Sequence, residues 1–286
     1  MIEAGCIRGP GFRELNPVTS TLILPLTALG ALSGALALAW RRQRLTRNAG
    51  IVDLIWAGSL GLMALSYAAL ADGWGPRRAL VAGLAGLWSV RLSWHLALRV
   101  SREAEDGRYA ILRERWAGKF DSWMFWFFQA QGLLAVLLSL VFLVLCESSQ
   151  AGWRTQDVLA SLLWIVSIGG EGVADRQLSA WRANPANRGR TCRTGLWGFS
   201  RHPNYFFEWL HWLVYPVLGL GLAWGWSLWL TPALMLFLVL KVTGIPPTEE
   251  QSLRSRGADY RAYQRTTNAF FPGPVKAASQ ELPRIS

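Results

Sequence analysis

A stripe of polar side chains runs along an otherwise apolar stretch in the last third of the chain. The spacing i, i+4, i+7, i+11 places four residues on one helix face: Asn204, Glu208, His211 and Tyr215. Pro203 suits the first helical turn, because its missing N–H is not needed there. A carboxylate such as Glu208, about one turn inside a membrane helix, is costly and by default functional. The alternative is a Trp-rich interfacial helix with an N-terminal cap.

A basic loop leads into this stripe. Arg201 and His202 stand directly before Pro203. The first turn of a helix has free N–H groups and the positive end of the helix dipole, and both favour an anion. The sequence therefore predicts an anion site at the start of this helix.

A second group of polar residues closes an earlier apolar stretch. Glu171, Asp175 and Arg182 follow the spacing i, i+4, i+11 and share a helix face. The carboxylates suit ribose hydroxyls or an amide, and the arginine suits a phosphate. The alternative is an ordinary polar helix end at the membrane surface.

Further charges fall inside predicted membrane segments. Arg91, His95 and Arg99 follow the spacing i, i+4, i+8, and Arg91 is too deep to be a mere flank. Arg99 and Arg102 can also be read as anchors that reach the membrane surface. Asp53 has either a catalytic role or a structural ion pair, for which Arg91 is the candidate partner.

The C-terminal segment predicts a short amphipathic helix. Thr248 is its expected cap, and Glu249 and Glu250 fall in its first turn. A solvated helix without further function is the alternative. The chain has no Rossmann or P-loop motif, so a nucleotide would need a site in a helix bundle. Its three cysteines are scattered and predict neither a metal site nor a disulfide framework: Cys6, Cys146 and Cys192.

The elements that must position these residues are membrane helices. Hydrophobic residues make up 52% of the 286 residues and charged residues only 16%, against roughly 25% in soluble domains. We predict an all-α bundle of about seven transmembrane helices in one domain, with a tail at residues 1–18, the bundle at 19–243 and a cytoplasmic segment at 244–286. The predicted spans are 19–40, 49–71, 78–98, 122–146, 158–175, 204–224 and 226–243.

The charge distribution predicts the orientation of the bundle. The net charge is +11, and 23 of the 29 Lys and Arg follow the first, third, fifth and seventh spans. By the positive-inside rule the N-terminus is outside and the C-terminus cytoplasmic, which fits a bacterial inner membrane. No nucleic-acid-binding signature accompanies the charge, so no nucleic acid partner is expected.

Several motifs resemble the DUF1295 membrane proteins, which are similar to the C-terminal domain of steroid 5-alpha-reductases. The resemblance covers most of residues 48–272. The matching stretches are Asp53-x-x-Trp56, Glu105-Asp106-x-Arg108-Tyr109, Gln131-Gly132, Glu171-x-x-x-Asp175-x-Gln177, Gly195-Leu196-Trp197, Ser200-Arg201-His202-Pro203-Asn204-Tyr205-x-x-Glu208 and Thr243-Gly244-Ile245-Pro246-Pro247-Thr248-Glu249.

The resemblance implies a lipid-open bundle that binds NADP(H) from the cytosol and reduces a C=C bond conjugated to a carbonyl in a lipophilic, steroid- or isoprenoid-like substrate. It implies cofactor contacts from Glu171, Asp175, Arg182, Arg108, Arg201, His202, Asn204 and Tyr205. Glu208 resembles a carboxylate beside the nicotinamide. The donor that meets the substrate carbonyl stays open among Asp53, Glu208, His95 and Tyr109.

Two other functions fit the same motifs. Isoprenylcysteine carboxyl methyltransferases share the Arg-His-Pro-x-Tyr pattern and a Glu-Glu pair near the C-terminus. The chain could therefore bind S-adenosylmethionine around Arg201, His202, Glu249 and Glu250. It could also be a non-catalytic membrane protein that retains the scaffold. The substrate-holding Gln-Glu pair of the reductases has no clear match here, and Asp53 is the nearest candidate.

Overall fold

The computed structural model describes residues 17–102 and 105–276, and within these ranges the chain is all helical. The tail at residues 1–16, with Cys6, Arg8 and Arg13, lies outside the described residues, as do the side chain of Arg102 and Arg284. The α-helices are α1 (Pro17–Thr46), α2 (Ile51–Leu70), α3 (Gly75–Arg102), α4 (Gly107–Arg115), α5 (Phe120–Cys146), α6 (Thr155–Ala183), α7 (Pro203–Trp212), α8 (Val214–Leu218), α9 (Leu230–Phe237) and α10 (Ile245–Thr266).

Five helical segments in the described ranges are long and apolar enough to cross a membrane, as expected for an integral membrane protein. They are Leu22–Thr46, Ile51–Leu70, Phe120–Cys146, Thr155–Ala183 and Gly225–Thr266. The expected third span corresponds to α3, which is 28 residues long but carries arginines along its length. The apolar part of the last segment runs through α9 and a π-helical turn, Leu238–Val242, and ends before the polar helix α10.

The expected sixth span, 204–224, is shorter and broken. The helix is interrupted at Leu213 and ends at Leu218. Pro216 explains the break, because it has no N–H for the carbonyl of Trp212 and its ring crowds that carbonyl. Gly221 then adopts a φ of +80°, which ends the helical path.

The helix α6 continues without a break through Gly169 and Gly170. Close packing of α6 against α7 explains why position 170 is a glycine. A Cβ at this position would lie 2.3 Å from the Phe207 ring, so the glycine lets α6 and α7 approach closely.

The prediction that Thr248 caps the C-terminal helix is wrong. Helix α10 begins at Ile245 with Gly244 as its N-cap residue, so Thr248 lies inside the first turn. Its hydroxyl instead lies 3.0 Å from the Tyr205 hydroxyl and joins α10 to α7.

An aromatic core joins helices α3, α5 and α7. Trp88 on α3, Phe142 on α5 and Trp212 on α7 are fully buried, and Trp212 packs against the other two rings. At the end of the bundle that holds the α2–α3 loop, Arg77 donates to Asp157 over 3.1 Å. This buried ion pair fixes the start of α3 against the start of α6.

Candidate functional site

A polar cavity of about 830 Å³ opens at the end of the bundle where α3 and α6 finish. Helices α4 and α10, the start of α7 and the loop after α6 complete its wall. Its carboxylates are Asp106 and Asp175, and its arginines are Arg99, Arg108, Arg182, Arg188, Arg190, Arg201 and Arg256. This excess of positive charge suits a ligand with several phosphate charges.

The cavity brings together most of the residues expected to contact a cofactor. They are Asp175, Arg182, Arg108, Arg201, His202, Asn204 and Tyr205. Glu171 does not line it. This carboxylate is buried one turn before Asp175 and forms an ion pair with Arg91.

The cavity wall also contains polar atoms that have no hydrogen-bond partner among the described residues. They are Trp181 Nε1, Thr191 Oγ1 and Arg256 Nε, and all three are inaccessible to solvent. All three can donate a hydrogen bond, and an unpaired donor in a protein interior costs free energy that a ligand acceptor recovers. Sequence reasoning missed these residues, because none of them belongs to a periodic polar stripe.

Arg201 and His202 also bond to helix α10. Arg201 donates to Glu249 over 2.6 Å and to the carbonyl oxygens of Gln264 and Thr267. His202 lies 3.3 Å from the same carboxylate, which also accepts from Tyr260. Their polar groups therefore fasten the start of α7 to α10, although both side chains border the cavity.

The charges of Arg201 and Glu249, where α7 meets α10, largely compensate each other. Burial alone would raise the pKa of Glu249, but hydrogen bonds from His202 and Arg201 lower this pKa to about 2. Burial also lowers the pKa of His202, so the ring is neutral at pH 7. A carboxylate held in this way is not available to a ligand.

Asp53 pairs with Arg108 over 3.2 Å, which corrects the candidate pairing with Arg91. Tyr109 donates its hydroxyl hydrogen to Asp53 over 2.8 Å. Asp106 caps α4 by accepting from the Arg108 backbone N–H over 2.9 Å. Burial would raise the pKa of Asp106, but Arg108 and Arg99 lower it to about 2. Asp53 and Tyr109 therefore hold α4 in place and do not line the large cavity.

Glu208 lies in a second polar cluster, inside the bundle. One carboxylate oxygen accepts from Trp88 Nε1 over 2.9 Å and the other from Trp212 Nε1 over 3.1 Å. The Trp88 ring stacks on His211, with ring centroids 4.6 Å apart. His211 Nε2 lies 3.0 Å from the Tyr215 hydroxyl, so three members of the polar stripe occupy one continuous cluster.

The cavity and the inner cluster are connected through α6 and α7. Asp175 lines the cavity and also lies 3.5 Å from Arg91. Asn204 lines the cavity one turn before Glu208 on the same helix. His95, one turn after Arg91, lines it from α3. The cavity therefore ends about one helical turn from Glu208 along α7.

Within the described ranges no group of three or more His, Cys, Asp or Glu side chains is placed to hold a metal ion.

Comparison with known proteins identifies one family. The family model described as a protein of unknown function (DUF1295) matches residues 39–267, which is most of the chain. Searches of curated proteins and of solved structures return no match.

Proposed function

The chain belongs to the DUF1295 family, and we propose that it is a membrane-embedded, NADPH-dependent reductase of a C=C bond conjugated to a carbonyl in a lipophilic substrate. A single observation carries the proposal. The arginine-lined cavity includes Asn204, which lies one helical turn before a carboxylate set among indoles inside the bundle. A molecule with a phosphate-rich end and a small polar reactive end matches this arrangement.

The residues present fit NADP(H). A cavity of about 830 Å³ falls within the range of roughly 300–1,000 Å³ found for ligand sites. Arg182 and Arg256 would hold phosphates, and Asp175 a ribose hydroxyl or an amide. The unpaired donors at Trp181 and Thr191 would meet further acceptors on the same molecule.

The protein's part in the reaction is to position groups and exclude water. When bound, NADPH supplies a hydride for the β-carbon of the enone, and a proton from solvent reaches the α-carbon, which gives the saturated ketone and NADP⁺. Two indole N–H groups hold the Glu208 carboxylate in one orientation. Asn204, one turn before it, would contact the nicotinamide end.

We further propose the full membrane arrangement. Helix α3 and the α7–α8 pair cross the membrane together with the five apolar segments, which gives seven spans in all. The cavity then faces the cytoplasm, where NADPH is found, and the N-terminus lies outside in a bacterial inner membrane. A steroid- or isoprenoid-like substrate would reach the inner cluster from the lipid.

The structure offers less support for an S-adenosylmethionine methyltransferase. Glu249 already accepts hydrogen bonds from Arg201, Tyr260 and Gln264. S-adenosylmethionine is cationic at sulfur and has no phosphate, so seven arginines around the cavity disfavour it.

The proposal is tested by the identity of the bound nucleotide. Protein purified in mild detergent is analysed by mass spectrometry for a bound small molecule, and affinities for NADPH and S-adenosylmethionine are measured by calorimetry. We expect NADPH to bind and S-adenosylmethionine not to bind. The opposite order would establish the methyltransferase, and binding of neither would leave a non-catalytic scaffold.

A matched pair of variants places the ligand in the cavity. Arg182 lines the cavity, whereas Arg176 is exposed on the same helix outside it. Arg182→Ala should weaken NADPH binding by roughly 1.5–3 kcal/mol, the range for hydrogen bonds to charged groups. Arg176→Ala should leave the affinity unchanged, and equal effects of the two variants would contradict this placement.

A further inference from the structure

Trp56 carries an indole N–H that has no partner among the described residues. Its Nε1 atom is inaccessible to solvent, on a side chain of α2 that is partly buried against the apolar core of the bundle. Leaving an N–H unpaired in such surroundings is costly, because no water is there to accept from it. An unpaired donor at this depth calls for an acceptor that arrives with a ligand.

Trp56 is adjacent to the cluster that contains Glu208. Its ring meets the Trp88 ring edge to face, with centroids 6.2 Å apart. Trp88 in turn donates to Glu208 and stacks on His211. His211 Nδ1 also lacks a partner within the part of the chain that the structure describes. Trp56 and His211, each with one polar atom that is unpaired in the described ranges, therefore both contact the Trp88 indole, next to the expected site of reaction.

Three other donors in this part of the bundle are already engaged. Tyr109 donates to Asp53, Trp212 donates to Glu208, and Trp164 donates to the Leu84 carbonyl over 2.9 Å. Of the four candidate donors that the sequence left open, Tyr109 is therefore bound to Asp53. Trp56 is not one of those four. The signal that identifies Trp56 is its unpaired nitrogen, which only the structure reveals.

We infer that Trp56 Nε1 donates a hydrogen bond to the carbonyl oxygen of the lipophilic substrate. This inference rests on the proposed reductase function and narrows its substrate class. An indole N–H is neutral and donates only, so it suits a neutral ketone or aldehyde oxygen. In the reaction it would stabilise the negative charge that develops on that oxygen.

The test compares ligands that differ only in the carbonyl oxygen. Protein in lipid nanodiscs, saturated with NADP⁺, is titrated with cholest-4-en-3-one and with cholest-4-ene. β-Ionone and its analogue without the oxygen form a second, isoprenoid pair. A site built to hydrogen-bond the oxygen discriminates against the analogue that lacks it. Wild-type protein should prefer the ketone of at least one pair by about tenfold, or roughly 1.4 kcal/mol.

Two variants test whether Trp56 causes the preference for the ketone. Trp56→Phe removes the N–H and keeps an aromatic ring, so it should reduce the preference to less than about threefold. Trp164→Phe is the matched control, because the N–H that it removes is already bonded within the protein. This control should keep the wild-type preference. A preference retained in Trp56→Phe, or no preference in wild-type protein for either pair, would overturn the inference.

Two further measurements complete the design. If Trp56→Phe does not fold, the indole N–H signals of ¹⁵N-Trp-labelled wild-type protein are recorded with each ligand. One signal should shift with the ketone and not with the hydrocarbon, and the same response to both would overturn the inference. NADPH affinity is measured separately. Wild-type protein that does not bind NADPH contradicts the proposed function, whereas normal NADPH binding with an unchanged ketone preference in Trp56→Phe contradicts only the role of Trp56.

Discussion

Glu208 receives an indole N–H on each of its two oxygens. In Glu208→Gln one oxygen becomes an NH₂ group, which cannot accept from an indole. The variant should therefore lose about 1–3 kcal/mol of stability, the cost of one unsatisfied donor. If Glu208 also acts beside the cofactor, turnover per folded molecule should fall at least about tenfold, or roughly 1.4 kcal/mol in the barrier.

Trp212→Phe is the control for this prediction. It removes one donor to Glu208 and leaves the carboxylate in place. Melting temperature and the rate of NADPH oxidation with an enone are measured on the same preparations. A scaffold role would appear as lost stability in both variants, with the wild-type rate kept by each folded molecule.

At the residue scale, spacing identified some site residues and could not identify others. Asn204, Asp175 and Arg182 were found because helical spacing placed them on polar faces, and all three line the cavity. The partner of Asp53 was missed. Arg108 is 55 residues away in sequence and meets Asp53 only because α4 folds back against α2. Long-range pairs of this kind depend on tertiary packing, which periodicity does not encode.

The packing of α6 against α7 positions the two ends of the site. Gly170 allows this approach, because a Cβ there would lie 2.3 Å from the Phe207 ring. Gly170→Ala should destabilise the protein by about 1–3 kcal/mol through overpacking. Gly172→Ala is the matched control on the same helix, since nothing lies within 4 Å of its Cβ position. That control should be neutral or slightly stabilising, as alanine is favoured over glycine in helices.

Thermal unfolding of the two variants in the same detergent checks this prediction. A lower melting temperature for Gly170→Ala alone supports the close contact of α6 and α7. Equal melting temperatures for both variants would contradict it.

At the element scale, hydropathy predicted where most helices lie but not how they end. The α2 and α5 segments agree closely with expectation, because long apolar runs have few alternatives in a membrane. The break within residues 204–224 was not predicted. It depends on Pro216 and on the turn at Gly221, whose local effects a hydropathy window averages away.

The predicted orientation of the whole molecule rests on its charge distribution. Three basic residues follow the second and fourth spans, on the predicted outer side, and all three are bound within the protein. Arg77 pairs with Asp157, Arg78 donates to the Ala68 and Ala71 carbonyls, and Arg154 donates to the Leu218 carbonyl. These three charges therefore hold helix ends together. When they are left out of the comparison, a larger share of the basic residues falls on the predicted cytoplasmic side.

A pair of reporter fusions tests this orientation. A reporter that is active only in the cytoplasm should be active when fused after Ser286. The same reporter fused after Gln150, in the loop between α5 and α6, should be inactive. Activity of the Gln150 fusion together with an inactive Ser286 fusion would reverse the topology and place the arginine-lined cavity outside.

The central claim is that the cavity and the inner cluster together position NADPH and the substrate, so that a hydride passes from the cofactor to a conjugated C=C bond. The most direct measurement incubates the purified protein with NADPH deuterated at both C4 positions and with cholest-4-en-3-one. We predict a saturated ketone one mass unit heavier than the product made with ordinary NADPH, with the deuterium on the β-carbon. The account would be contradicted if the protein bound NADPH and the enone but formed no labelled ketone, or if it methylated a substrate when supplied with S-adenosylmethionine.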